Sequence, residues 1–168
     1  MRTCARFLAV GSLVLIVDED DRERRYMGAV LAADGFDVIQ VSDSVAGMVK
    51  VTTFEPSLIV LAAEGGPVPV SQLVRIFRRI SAAPLIVIGD SDPTDEAESM
   101  ASGGDLVLSK KFGAAELISR SRMLVRRGGE GSASVPESNG PPSAGAESTQ
   151  AILTALSSLR PSHGRTAA

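Results

Sequence analysis

The chain has 168 residues, enough for one domain, and its 44% hydrophobic content can supply a real core. A net charge of −3 points neither to a nucleic-acid surface nor to an acidic tail. One cysteine, Cys4, excludes a disulfide framework and fits a reducing cytosol, and no apolar run is long enough to span a bilayer.

Residues 1–12 read as an N-terminal extension, in which two early arginines and an apolar stretch from Phe7 imitate a signal peptide. That stretch runs straight into Asp18-Glu19-Asp20-Asp21 with no small-residue cleavage pattern, so a cytoplasmic protein is expected. From 13 to 127, strand and helix patterns alternate. β-Branched runs fall at 13–17, 37–41, 57–62, 84–88 and 105–109, continuous rather than alternating, as in strands covered on both faces. The first helix pattern, Asp20 to Asp34, carries Tyr26, Met27, Val30 and Leu31 on one side and stops at Gly35, a good C-terminal cap. The second, about 44–54, offers Val45, Met48, Val49 and Thr52 to a core. The third, about 70–80, offers Val70, Leu73, Val74, Phe77 and Ile80. The fourth, about 93–102, has Asp92 as N-cap and Pro93 in its first turn, but it is poor in large apolar residues and should be the least anchored. The fifth, about 113–127, carries Leu117, Ile118, Leu124 and Val125, and its final Arg126-Arg127 suits the negative end of a helix dipole.

Composition changes after Arg127. Residues 128–148 are mostly Gly, Ser, Pro, Ala and Glu and read as a flexible linker. Within 149–160, Ile152, Leu156 and Leu159 recur at i, i+4 and i+7. Alone this segment is too short to be a stable helix. It reads either as tail with scattered leucines or as an amphipathic helix that folds on a partner or back onto the domain. Residues 161–168 read as a disordered tail. It holds His163, the only histidine, so no His-based dyad or zinc cluster is available.

Five β/α repeats predict an α/β fold: a five-stranded, parallel, doubly wound sheet with helices on both faces. Ligand sites in such sheets form at the carboxyl ends of the strands, which gathers Asp18, Glu19, Ala62, Gly89 and Lys110 around one crevice. Acids, an acceptor and a lysine there would make a phosphate-handling site. Here Leu58-Ile59-Val60-Leu61-Ala62 ends in a methyl group where an aspartate is expected.

At this point the chain resembles a response-regulator receiver domain over about 13–127. Leu15-Ile16-Val17-Asp18-Glu19 matches the family's first strand and acidic pair, and Asp34-Gly35-Phe36-Asp37-Val38 its turn into strand two. Glu55-Pro56-Ser57-Leu58-Ile59-Val60-Leu61 matches the approach to the acceptor, and Pro84-Leu85-Ile86-Val87-Ile88 resembles strand four. Gly103-Gly104-Asp105-Leu106-Val107-Leu108-Ser109-Lys110-Lys111-Phe112 matches the last strand and its lysine. The resemblance implies a flavodoxin-like receiver fold.

In that family, the acidic pair and the acceptor hold Mg²⁺, the aspartate attacks a phosphoryl donor, and the metal and lysine neutralise the transferring group. A strand-four Thr or Ser then senses the phosphate, and an aromatic residue on strand five repacks. Matched by position, this chain keeps Asp18, Glu19 and Lys110. It has Ala62 for the acceptor, Gly89 for the hydroxyl residue and Val107 for the aromatic, and Lys111 for the proline whose peptide bond is cis in the family. The resemblance therefore implies a degenerate pseudo-receiver without a phosphorylation switch.

Several residues carry further expectations. Asp18 and Glu19 are read as acids that cap the first helix and pair with Lys110, with a weak residual Mg²⁺ site as the sharper alternative. No cofactor is required. Glu64, two residues past Ala62, is read either as a loop residue or as a fixed charge that imitates a phosphorylated acceptor beside Lys110. Arg75, Arg78, Arg79, Arg120, Arg122, Arg126 and Arg127 are basic helix positions without aromatic stacking partners, so no nucleic-acid partner is expected. A membrane partner is not expected either. The resemblance implies contact with a signalling protein (a histidine kinase, another regulator or an output protein) through the fourth and fifth helices and fifth strand, or a homodimer, and no enzymatic activity. Three alternatives stand beside it: a receiver phosphorylated on Glu64 or Asp90, a small Mg-dependent phosphatase-like enzyme, and a domain that only presents 149–160 to a partner.

Overall fold

The computed structural model describes residues 11–62, 68–89 and 93–131. Strands and helices alternate along them: β1 (Leu13–Val17), α1 (Asp21–Ala33), β2 (Asp37–Val41), α2 (Ser44–Phe54), β3 (Leu58–Ala62), α3 (Val70–Ile80), β4 (Leu85–Gly89), α4 (Pro93–Ala101), β5 (Leu106–Ser109) and α5 (Ala114–Gly131). All strand pairs are parallel, in the order β2-β1-β3-β4-β5. This is the doubly wound α/β sheet that the β/α repeats predict, and its order reverses between β1 and β3.

Alternation along each strand divides the interior into two layers. Val14, Ile16, Leu58, Val60, Ala62, Ile86 and Ile88 face α1 and α5, where they meet Met27, Leu31, Leu117 and Leu124. Leu15, Val17, Ile59, Leu61, Leu85 and Val87 face α2 and α3, where they meet Met48, Val51, Leu73, Val74 and Phe77. Burial of one such side chain contributes about 1.5–3 kcal/mol. The strands β3 and β4 are almost wholly buried, as continuous apolar runs require; the edge strands β2 and β5 are only partly covered.

Local chemistry sets the helix ends. After α1, Gly35 takes φ +100 and donates to Ala32 O at 3.0 Å, while Phe36 N donates to Leu31 O at 3.1 Å. This doubly bonded termination needs a left-handed residue, so Gly35 stops the helix as expected. Asp20 caps its start, accepting from the amides of Arg22 and Glu23 at 2.8 and 3.1 Å. The cap expected of Asp18 and Glu19 thus belongs to the next acid along.

Three faces differ from the expected ones. Helix α2 buries Gly47, Met48 and Val51 and leaves Val45 and Val49 exposed, because glycine lets it settle closely on the sheet. A β-carbon on Gly47 would stand 2.8 Å from Val17 Cγ2 and 3.1 Å from Phe77 Cζ. Helix α1 buries Gly28 and turns Tyr26 outward. Helix α5 continues to Gly131, into the first residues assigned to the linker. It passes so close to Pro84 that a β-carbon at Gly128 would lie 3.2 Å from Pro84 Cγ, which favours glycine there. Helix α4 is as sparsely anchored as expected, burying only Ser99. Asp92 and the 149–160 segment lie outside the described residues.

Candidate functional site

Asp18 leaves the end of β1, its amide bonded to Val41 O at 3.1 Å and its carbonyl accepting from Arg24 Nη1 at 2.8 Å. The side chain is only 5% exposed. Its Oδ1 accepts from Asp20 N at 2.8 Å, whereas Oδ2 is buried with no hydrogen-bond partner. Burial pushes the Asp18 carboxyl up from its ordinary 3.8 to about 6. The Asp20 amide pulls it back, the charges of Glu23 and Asp20 add to the rise, and Lys110 opposes it least of all. Asp20 itself is held below the carboxylate range, first by the Glu23 amide and then by that of Arg22. Glu19 is exposed.

Ala62, at the end of β3, is 5% exposed and packs into the layer below α1 and α5, level with Ile88 of β4. Gly89 ends β4, and a β-carbon there would meet nothing within 4 Å. Packing therefore does not require glycine at that position. Val107, level with Val87, is half-buried against the layer below α2 and α3. The Lys110 amide donates to Gly89 O at 3.0 Å, continuing the β4–β5 ladder past its last pair. Thus Asp18, Ala62, Gly89 and Lys110 all stand at the carboxyl ends of adjacent strands, as the topology rule requires.

Asp18 Oδ2 accepts no hydrogen bond, so the partnership expected with Lys110 leaves that oxygen unsatisfied. Lys110 lines a cleft of about 400 Å³ with Asp20, Arg22, Glu23, Tyr26 and Phe112. In that cleft the rings of Tyr26 and Phe112 lie 6.2 Å apart at 34°. This grouping was not anticipated: neither aromatic was read as facing the crevice, although Phe112 follows the lysine by two positions. Glu64, Asp90, Cys4 and His163 lie outside the described residues.

The unpartnered Asp18 Oδ2 is the kind of atom that a cation would satisfy, but the donor set around it is short. Among the described residues, no three of His, Cys, Asp and Glu stand close enough to hold a metal ion. The methyl group of Ala62 supplies no oxygen to the near-octahedral shell that Mg²⁺ demands. The described residues therefore do not by themselves fit a resident Mg²⁺ of the receiver type.

No protein-family model matches the chain. In sequence it is similar to the KDP operon transcriptional regulatory protein KdpE of Escherichia coli (strain K12), at 33% identity over 118 residues, covering 68% of this chain and 51% of that protein. It is also similar to the DNA-binding response regulator MtrA of Mycobacterium tuberculosis (strain ATCC 25618 / H37Rv), at 27% identity over 115 residues, covering 68% of this chain and 50% of that protein. The chain spans about half the length of the curated relatives it matches. Among solved structures, the receiver domain of the Francisella response regulator 1452 superposes with a TM-score of 0.65 at 24% identity, over 70% of this chain and 98% of that one. That likeness shows the fold, a receiver-type flavodoxin-like sheet. The expectation of no nucleic-acid partner gains no support here, since MtrA is by name DNA-binding. No helix among the described residues is long and apolar enough to cross a membrane.

Proposed function

We propose that this chain, whose relatives and fold support the response-regulator receiver-domain family, acts in two-component signalling through protein contacts and without an aspartyl-phosphate switch. One observation carries this reading: Ala62 occupies the end of β3, beside the strand ends that bear Asp18 and Lys110. A methyl group has no lone pair with which to attack phosphorus. The two positions that would register a phosphate are also inert, since Gly89 has no hydroxyl and Val107 has no ring to swing. Three parts of one mechanism are missing together.

The surviving groups keep a structural task under this reading. Asp20 and Arg24 hold the β1–α1 turn, and Lys110 keeps a positive charge at the crevice. Asp18 and Glu19 retain at most a weak affinity for divalent cations, and no cofactor is needed. The protein works in the cytoplasm. Its partner is a histidine kinase, another regulator or an output protein, and its contact surface is built from α4, β5 and α5. On that surface, Asp95 and Glu96 stand in the first turn of α4.

Incubation with acetyl phosphate and Mg²⁺, followed by mass spectrometry of the intact chain, tests this directly. No aspartyl or glutamyl phosphate is expected. A stable adduct on Glu64 or Asp90 would instead establish an active receiver with a displaced acceptor. Glu64→Gln tests the permanent-charge reading separately: unchanged partner affinity in a pull-down would end it. Hydrolysis of a generic phosphate ester would favour the enzyme alternative, for which neither Ala62 nor Gly89 supplies a nucleophile. DNA binding by the full chain, read by its salt dependence, would bring in the property named for MtrA.

A further inference from the structure

The solvent side of α2 is unlike that of its neighbours. Helix α1 exposes Asp21, Arg22 and Arg25, and α3 exposes Arg75 and Arg79. Helix α2 has one charged residue among eleven, Lys50. Its Val45 and Val49, one turn apart, are each 45% exposed, and Phe54 is 48% exposed. The threonine hydroxyls are turned back onto the helix: Thr52 Oγ1 donates to Val49 O at 3.1 Å, and Thr53 Oγ1 to the same carbonyl at 2.7 Å. Those bonds leave the threonine methyls to extend the apolar face rather than interrupt it. A solvent-facing helix carries polar side chains on its outer side, and an apolar outer face marks a contact surface.

The charges at the rim of this face are opposite in sign and stand toward opposite ends. Asp43, the N-cap, is exposed and accepts from Ala46 N at 2.8 Å. Lys50 lies toward the carboxyl end, with Nζ 5.1 Å from the centre of the Phe54 ring. Neither enters a salt bridge among the described residues. At 3.6 residues per turn, Asp43 and Lys50 fall on the same side of the Val45–Val49 stripe.

We propose that the outer face of α2 packs against the same face of a second copy of this chain, the two helices antiparallel across a twofold axis. Centring the contact level with Gly47 sets Val45 opposite the partner's Val49, and Val49 opposite the partner's Val45. Across an antiparallel twofold, residues on one side of the stripe meet those on the same side of the other copy. The register therefore brings Lys50 beside the partner's Asp43, and does so twice. A parallel pairing puts Asp43 level with the partner's Asp43 and Lys50 level with the partner's Lys50, so neither charge is answered.

The rival occupant is the leucine-bearing segment 149–160, and charge decides between them. That segment carries Arg160 and no acid, so it offers nothing to Lys50, whereas a copy of α2 answers both rim charges at once. Eleven residues span only about 16 Å, so the contact is smaller than the standard interface of about 1,600 Å², and the dimer is weak and reversible. This surface lies apart from α4, β5 and α5, and the dimer forms whatever the chemistry at position 62.

Sedimentation equilibrium of the full chain, between about 10 μM and about 1 mM, reads the association. The expected result is a mass that climbs from monomer toward dimer, with Val45→Lys/Val49→Lys monomeric at every concentration. Lys50→Gln, and Asp43→Asn, which keeps a capping side chain, should each raise the dissociation constant about three- to tenfold at low salt. Combined, they should raise it no further, and high salt should erase the difference. A parent that stays monomeric throughout overturns the proposal, as does a dimer that Val45→Lys/Val49→Lys leaves intact. Should that variant fail to fold, the charge variants still decide: a dissociation constant unmoved by both overturns the proposal. If the parent is monomeric and Leu156→Ser/Leu159→Ser speeds amide exchange in α2, the tail covers the face and the proposal fails.

Discussion

Arg122 on α5 grips Asp34 at the end of α1 through two side-by-side bonds, Nε to Oδ2 at 2.7 Å and Nη2 to Oδ1. The two residues are far apart in sequence, and the pair clamps together the two helices that cover one face of the sheet. Fork geometry and a mostly covered Asp34 raise it above an ordinary surface pair, while the half-open Arg122 limits it. Arg122→Ala should cost about 0.5–1.5 kcal/mol, and less at high salt. A double-mutant cycle with Asp34→Ala, read from urea midpoints at two ionic strengths, measures the coupling; a value near zero at low salt would refute the clamp.

Asp18 makes stability depend on pH in an unusual direction. Its carboxyl is raised from 3.8 to about 6 in the folded chain, so between those values the folded state binds more protons than the unfolded one. The contribution is therefore unfavourable above pH 6, fades as pH falls from 6 toward 4, and vanishes below the unfolded value. Asp18→Asn should stabilise the protein at pH 7.5 by about 1–2 kcal/mol, after discounting for solvent screening at the crevice mouth, and by little at pH 4. Denaturant melts at the two pH values check this; a gain that is constant with pH would count against it.

Arg78 holds the lower end of β4 and β5 together. Its Nε donates to Gly103 O at 2.5 Å, its Nη1 to Ala83 O at 2.6 Å, and its Nη2 to Asp105, which also accepts from Leu85 N at 2.8 Å. One planar fork serves three acceptors, and lysine cannot reproduce that. Arg78→Lys should lower stability by about 1–3 kcal/mol, with no loss of net charge. Chemical denaturation reads the effect, and a change below about 0.5 kcal/mol would argue against the network.

Ser121 on α5 is fully buried, and its hydroxyl finds no partner. Ser121→Ala removes an unsatisfied polar atom and improves helix propensity, so stability should rise by about 1 kcal/mol. A lower melting temperature would show that the hydroxyl is satisfied in solution.

Placing a carboxylate at position 62 tests the crevice itself. Ala62→Asp adds a carboxylate at a position 5% exposed, near an Asp18 that already lacks a partner for one oxygen. Without metal the variant should lose about 1–3 kcal/mol. Millimolar Mg²⁺ should return much of that loss, whereas the parent protein should respond weakly. Melting curves with and without Mg²⁺ decide the matter, and an equal Mg²⁺ response in both proteins would mean that Ala62 is irrelevant to cation binding.

The parallel, doubly wound sheet was legible in the sequence because the strands are short apolar runs bounded by Gly, Pro and Asp, and β/α alternation leaves few topologies open; the strand order was not read from the residues. The positions gathered at the crevice were legible for the same reason, since strand ends fix them. Which side of a helix turns inward was harder to read. Val45 and Val49 fit the apolar period of α2 as well as Val51 does, and only the close approach allowed by Gly47 chooses between them. The partners of charged side chains were also missed. A strand-end lysine is long enough to reach several acids, and spacing alone could not show that Asp18 keeps an oxygen unpaired or that Lys110 would line a cleft with Tyr26 and Phe112. The capping role of Asp20 was within reach, because Asp20 and Glu23 have the spacing of a capping box.

Helix α4 gives the interior a single small side chain, Ser99, while each of its neighbours is fastened by several large ones. Lifting it away from the sheet would expose little oil to water and leave both layers intact. A protease should nick this helix first, and a binding protein could tilt or melt it without disturbing the remainder. That loosely moored segment is where an encounter can leave its imprint.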